Sequence, residues 1–412
     1  DIGDLAYNFN SNLLVITFLI FIFIIVLINF IYFKTKFVFQ KYSYVKKLKK
    51  TKKGYDYFVE AMIALLNNDN KKALNSANKM KGLLNEDTSL NLLLQSEILK
   101  IEQKPEQLSE IYDLMIKHHK TKTLGYRGLM EQSLKQQDYH HAFIYGEKLF
   151  YSNPYVDKIY ETLVGILSKT NNWQQLINNS DKALSKKVAD KNICEVNKSI
   201  AYFEISKIKR YSELKESIYF IKQSLKLRKN FPPYIKLYLE LLIQNKDYKL
   251  AKKYFKKMWY EKPHPEYKEL LSSLALYLEM NFSNLTKFVI AGNKNNYESK
   301  VFLVESLIAD KKWVEARNEI KDILDLQPKK QVCILMAKIE EGDTGDIQKI
   351  NAWNLRSKNG EDNEIWVCVI TKKNQKVWSS VSEGGYFNTL EWKKPLILNQ
   401  FNDELDILSI EN

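Results

Sequence analysis

The chain has 412 residues, is 45% hydrophobic and carries a formal net charge of +14, enough apolar material for one extended domain or two compact ones. Only five of its 63 basic residues are arginine (127, 210, 228, 317, 356). That lysine bias, beside abundant Asn, Ile and Phe, reads as the codon usage of an AT-rich genome, and the absence of any zinc-finger, RNP or helix-turn-helix signature argues against nucleic acid as a partner. Cys194, Cys333 and Cys368 stand far apart with no CxxC pair, so no disulfide framework is expected and a reducing compartment fits.

In chain order, residues 1–12 form a short segment with Asp1 and Asp4 and no base, and residues 13–33 read LLVITFLIFIFIIVLINFIYF without a charge. At about 1.5 Å per residue this run covers the roughly 30 Å hydrocarbon core of a bilayer, and the hydroxyl of Thr17 can bond back to the helix. Residues 34–54 follow as a basic juxtamembrane segment, with nine lysines between Lys34 and Lys53 and no acid. The charge asymmetry places the C-terminal side in the cytoplasm and residues 1–12 outside. The lysines also suit anionic headgroups.

Residues 55–358 have few Gly or Pro and helical apolar spacing, so they read as nearly all helix. Aligning the start of the second helix of each pair gives Ala142, Leu176, Ser217, Ala251, Leu285 and Ala316, at spacings of 34, 41, 34, 34 and 31. Thirty-four is the tetratricopeptide period. Ala142 and Pro154, Ala251 and Pro263, and Ala316 and Pro328 share one spacing of twelve: the small residue admits a close helix, and the proline ends it. Ala73 and Ala77 mark a first repeat, the repeats around Leu108 and Leu285 are degenerate, and the 41-residue step implies a lengthened turn or helix near KKVADKN. The expected fold is all-α: a transmembrane helix, then a tetratricopeptide-like α-solenoid, then a small β-hairpin element.

Such a solenoid presents a surface lined by the first helix of each pair, suited to a peptide or partner helix. The register places Arg127, Glu131, Lys158, Glu161, Lys236, Glu240, Tyr267 and Tyr277 there as a protein-binding groove. No Gly-rich phosphate loop, GxSxG, HExxH or spaced metal cluster is present, so no catalytic, cofactor or metal site is assigned. His118 with His119, and His140 with His141, are adjacent pairs that point about 100° apart on a helix and make no i, i+4 clamp. Residues 359–412 change character: IWVCVI (365–370), a polar KKNQ turn and KVWSSV (376–381) read as a β-hairpin.

The apolar anchor with its basic flank, the degenerate repeats, GDTGDIQKINAW (342–353), and the terminal WVC, Trp378 and FNTLEW element resemble the HemY-type membrane proteins of proteobacteria, in their alphaproteobacterial branch. DIGDLAYNF resembles the short periplasmic loop of that family, which implies a further membrane helix before Asp1. The resemblance implies a bacterial inner-membrane scaffold without enzymatic activity, its repeats in the cytoplasm, binding other proteins in late haem or porphyrin biosynthesis. The flavoprotein oxidase that shares the short name needs a GxGxxG fingerprint that this chain lacks. Relatives often carry a metal ribbon of two CxxC pairs; here Cys368 with Thr371, and Val381 with Gly384, stand at those positions, so an apolar hairpin packed by Trp366, Trp378 and Trp392 is expected instead. Two other readings are an adaptor for envelope lipid (lipopolysaccharide) assembly, and a haem carrier using His118, His119, His140, His141 or Cys368 as axial ligand.

Overall fold

The computed structural model describes residues 11–84, 88–324 and 328–395. The expected outer segment up to Asn10 and the tail after Pro395 lie outside the described residues. Two units can be distinguished, residues 1–136 and 137–412.

The first unit begins with one unbroken helix, α1 (Ser11–Leu66). It includes the apolar run, the lysines and the first helix of the repeats, so the juxtamembrane segment is helical throughout. Its apolar end is unburied, and its polar groups bond inward: Thr17 Oγ1 donates to Leu14 O at 2.9 Å and Asn29 Nδ2 to Ile25 O at 3.0 Å. Then come α2 (Asn70–Leu83), α3 (Thr88–Ile101), α4 (Pro105–Lys117) and α5 (Lys122–Lys135). Ala61, Ala64 and Leu65 of α1 share a core with Ala73, Ala77 and Met80 of α2. The α4–α5 crossing is closer still. A Cβ on Gly125 would lie 2.7 Å from Tyr112 O, and one on Gly128 would lie 2.3 Å from the Tyr112 ring. In an open helix Gly→Ala gains roughly 1 kcal/mol; here Gly125→Ala must push backbone apart and is expected to cost about 1–3 kcal/mol. A thermal shift of the opposite sign would show that the crossing can relax.

The second unit continues the pairs: α6 (Tyr139–Ser152), α7 (Ile159–Lys169) with α8 (Trp173–Ser185), α9 (Lys191–Lys209) with α10 (Leu214–Leu227), and α11 (Pro232–Gln244) with α12 (Tyr248–Glu261). They are followed by α13 (Lys268–Tyr277) with α14 (Phe282–Ile290), α15 (Tyr297–Ala309) with α16 (Trp313–Lys321), and α17 (Lys330–Asp343) with α18 (Ile347–Lys358). All six residues that start the second helices in the sequence are the fourth residue of their helix, and all six are fully buried. Their N–H groups close the first turn of the helix; Ala251, Leu285 and Ala316 donate to Asp247, Asn281 and Lys312 O at 2.9, 3.1 and 2.9 Å. Ser217 adds a clamp, its hydroxyl donating to Ser206 O at 2.7 Å while Ser206 donates to Ser217 O at 2.8 Å. The long step of 41 resides in α9, which has 19 residues against 13 in α11.

Most first helices end the same way. A left-handed residue follows, at Asn68, Gln103, Asn171, Lys246, Glu279 and Lys311, and the next N–H reaches back five residues, as from Asp247 to Leu242 O at 2.9 Å and Lys312 to Leu307 O at 2.9 Å. This is the Schellman ending that usually takes glycine. None of these six is glycine.

The C-terminal element is a three-stranded antiparallel sheet in the order β2 (Asn374–Gln375), β1 (Ile365–Cys368), β3 (Leu390–Lys393). The turn after β1 comes earlier than expected, over residues 369–371, and Asn374 and Gln375 of the expected KKNQ turn pair instead with Val367 and Trp366. Residues 376–381, expected as the second strand, lie outside the sheet, where the chain turns away to bury Trp378, and the far edge of β1 is taken by β3, with Trp366 opposite Trp392.

Candidate protein-binding surface

The first helices of the pairs form the candidate surface, and within the second unit its polar residues are tied to one another. Arg210, capping α9, donates to Glu240 of α11 at 2.6 Å and to Gln244 at 3.1 Å. Lys268, at the start of α13, lies 3.0 Å from Glu298 and 3.4 Å from Glu305 of α15 although its side chain is only 9% exposed. Glu305 accepts from Gln331 of α17 at 2.6 Å, and Gln331 accepts from Asn363 at 2.9 Å. Polar and oppositely charged side chains thus link one first helix to the next, part-buried at Arg210–Glu240 and Glu305–Gln331 and exposed at Gln244 and Asn363.

The eight groove candidates fall into three groups. Arg127 and Glu131 of α5 are exposed and paired to each other at 2.8 Å, and Glu131 borders clefts of about 210 and 420 Å³ between α3, α4 and α5. Lys158 is exposed in a left-handed backbone just before α7, and Glu161 is exposed in its first turn. Tyr277 is exposed and stacks on Tyr248 of α12, with centroids 4.9 Å apart and planes 7° from parallel. Lys236 and Glu240 are half-buried, Glu240 as the partner of Arg210 and Lys236 beside Glu266. Tyr267 is a correction: it is fully buried, packed on Phe255 and Trp259 with its hydroxyl donating to Lys262 O. The cause is a tight 3-10 turn, Pro265–Tyr267, before α13, which turns that position inward where the regular register would turn it out.

The C-terminal sheet covers part of this unit. Trp378, 5% exposed, meets Phe203 of α9 at 5.4 Å, Phe231 at 5.1 Å and Tyr234 of α11 at 6.1 Å, edge to face. Trp366 packs on Phe231, and Trp392 lies over His264 at 4.5 Å. His264 Nδ1 accepts the N–H of Glu266 at 3.2 Å, which leaves the proton on Nε2 when the ring is neutral. Burial, with Lys262 and Lys268 nearby, holds the ring down to about 3. Burial pushes Glu266 up to about 7, opposed by Lys236 and by the N–H groups of Trp366 and Trp378 that face it. The docking is pinned at the chain, too: Lys330 N–H donates to Glu361 O at 3.1 Å, and Lys330 pairs with Asp362 at 2.9 Å.

The residues considered as haem ligands are placed as follows. His118 and His119 stack at 5.1 Å in the α4–α5 turn, and His141 Nδ1 is 2.7 Å from Asp138 Oδ2 at the start of α6. Cys368 is enclosed within the sheet, its sulfur 3.4 Å from Thr371 N and 3.4 Å from Thr389 Oγ1. Burial raises its thiol, but the donors on Thr371, Thr389 and Ile370 outweigh that and hold it at about 6. Among the described residues no three His, Cys, Asp or Glu side chains converge on a metal position.

No family model matches the chain, and no curated protein does. Among solved structures it is similar to the TPR2AB-domain:pHSP90 complex of yeast Sti1, at 10% identity and a TM-score of 0.31, over 74% of this chain and 98% of that one. It is also similar to Naa15/Naa10 bound to HypK-THB, at 12% identity and a TM-score of 0.41, over 75% of this chain but only 50% of that one. A tetratricopeptide repeat protein from Parabacteroides merdae matches at 13% identity and a TM-score of 0.27, over 60% of this chain and 99% of that one. At these values the likeness extends no further than the fold, which the helix pairs and their period already carry. The chain is a tetratricopeptide-like α-solenoid headed by one long apolar helix and closed by a three-stranded sheet.

Proposed function

We propose that this chain is a membrane-anchored, non-enzymatic scaffold that captures partner proteins on its repeats. The continuity of α1 carries the reading. Its large apolar residues from Leu14 to Phe33 are each 42% to 65% exposed, whereas Ala61 and Ala64 on the same helix are at most 3% exposed against α2. A bilayer is the solvent that such a surface requires, and a rigid rod then holds the first repeat at a fixed distance below it. A partner that is itself membrane-bound gains effective concentration at the repeats without any additional contact. The lysines that follow the span favour the cytoplasmic side for the repeats.

Late haem biosynthesis at a bacterial inner membrane is the finer assignment, and it rests on the sequence resemblance to the HemY-type proteins. Crosslinking of the full-length chain in its own membrane, with mass spectrometry of what is captured, tests both levels. Enrichment of late haem-synthesis enzymes, lost when residues 55–358 are deleted, is the expected result. Envelope-lipid enzymes in their place would move the assignment to the adaptor. Capture that survives the deletion would remove the repeats as the binding surface. Charge reversal at Lys158 suits this assay, since the side chain is exposed; reversal at Lys236 does not, because it would set two carboxylates against each other beside Glu266.

A further inference from the structure

The cleft where α1 passes the end of α2 and the α4–α5 turn is lined by cations from two distant parts of the sequence. Lys46, Lys47 and Lys50 face it from α1 and Lys120 from the turn, around a cavity of about 720 Å³. No acid among the described residues lines it. Nor do Lys46, Lys50 and Lys120 make an ion pair with any described residue, although many lysines elsewhere on the repeats find one. The hydroxyls of Ser43, Thr51 and Tyr55 complete the polar wall, and Leu83 and Leu84 supply an apolar floor. The floor is built in: a Cβ on Gly54 would fall 2.3 Å from Leu84 Cγ, so the glycine is what lets Leu84 seat against α1. At the far wall His118 Nδ1 is buried without a hydrogen-bond partner. The C-terminal ends of α2 and α4 bring about half a negative charge each, too little to offset the ammonium groups of Lys46, Lys50 and Lys120.

We propose that this cleft binds an organic polyphosphate, with the lysines on the phosphates and the rest of the molecule over Leu83, Leu84 and Tyr55. Several ammonium groups around one cavity match a multiply charged anion better than a single carboxylate, since lysine acts on phosphate as a mobile point charge. The volume lies within the range of small-molecule sites, roughly 300–1,000 Å³. A lipid headgroup carries the same chemistry. If the apolar run spans a bilayer, as the scaffold reading holds, Ser43 is ten residues past Phe33, about 15 Å along the helix. The headgroup layer is only about 5–7 Å deep on each side, which favours a soluble ligand.

The test uses the full chain in nanodiscs of neutral phosphatidylcholine, with a fluorescent adenosine triphosphate analogue as probe and inorganic pyrophosphate as competitor. Saturable binding is expected, displaced by pyrophosphate, weakened by salt, and reduced about tenfold or more in Lys46→Gln/Lys50→Gln/Lys120→Gln. The matched variant Lys34→Gln/Lys36→Gln/Lys41→Gln, which removes the same number of charges from α1 outside the cleft, is expected to bind as the parent does. Equal losses in the two variants would reduce the effect to general attraction and overturn the site, as would absence of binding in neutral discs. If the triple variant alters only association with phosphatidylglycerol discs, the ligand is a headgroup and the soluble assignment falls. Glu86 and Asp87, next in sequence to the floor, lie outside the described residues, and Glu86→Gln/Asp87→Asn is expected to leave binding within about threefold. Binding that appears only in that variant would mean the chain's own acids fill the cleft, and would overturn the proposal. None of these outcomes depends on which proteins the repeats capture.

Discussion

Trp378→Ala is expected to release the C-terminal sheet from the repeats while the helix pairs stay folded. The indole is surrounded edge to face by Phe203, Phe231 and Tyr234, and truncating a buried tryptophan costs about 3–5 kcal/mol through lost transfer energy and the cavity left behind. A three-stranded sheet with a two-residue edge strand has no stability of its own to set against that loss, because so small a sheet needs a partner surface to bury its apolar face. The helices differ. Each pair is held by its neighbours along the array, so a defect at one place stays local. Amide exchange should therefore rise over residues 365–393 and stay low in α11 and α12. Trp392→Ala, at a position only partly buried, should loosen the same strands less. Unchanged protection of the sheet in Trp378→Ala would show that the pins at Lys330 suffice without the indole; equal loss of protection in α11 would show that sheet and solenoid are one cooperative unit.

The repeats were legible because close helix contact constrains residue type locally. Ala73, Ala142, Ala251 and Ala316 are small because a helix lies directly against them, and a constraint that recurs at a fixed interval survives in sequence. The helix ends were much less so. Left-handed positions at Gln103, Lys246, Glu279 and Lys311 lack the glycine or asparagine that would announce them, and the pairing of helices, not the local residue, holds them. The row of candidate binding residues suffered most. Regular helical phase left Arg127, Glu131, Glu161 and Tyr277 exposed, as they are, but it gave no hint that Pro265 would start a tight turn and bury Tyr267. Nor does a sequence show that Glu240 already has Arg210, or Lys268 two carboxylates, since these partners lie about 30 residues away. The third strand was missed for a similar reason: LEWK has only one apolar alternation, and its pairing with IWVC depends on where Trp378 is anchored. The cation cluster was hidden in the same way, because Lys120 and the His118–His119 pair sit in one turn and read as ordinary surface until α1 is placed beside them.

His264 and Glu266 are expected to hide each other's pH dependence. Glu266 is raised from an ordinary 4.5 to about 7. Between those values the folded chain holds a proton that the unfolded chain has lost, so its contribution is fully present below pH 4.5 and disappears as pH rises through 7. His264 is lowered from 6.5 to about 3; its contribution is present above pH 6.5 and disappears as pH falls through 3. Between pH 4.5 and 6.5 the folded state keeps one proton on Glu266 and none on His264, the unfolded state the reverse, and the pair contributes no slope. Glu266→Gln removes one side of that balance. Stability should then rise across the window, by about 1.4 kcal/mol per pH unit at most. His264→Asn, whose side-chain oxygen can still accept the Glu266 N–H, should make stability fall across the same window by a similar amount. Urea unfolding followed by tryptophan fluorescence reads this directly, because Trp366 and Trp392 lie against His264. Slopes of the same sign in the two variants would show that burial of one of these groups is relieved in solution. Opposite slopes with a flat parent would mean that the burial costs of an acid and an imidazole two residues apart, sealed under one sheet, cancel in their pH dependence and leave its docking equally stable from pH 4.5 to 6.5.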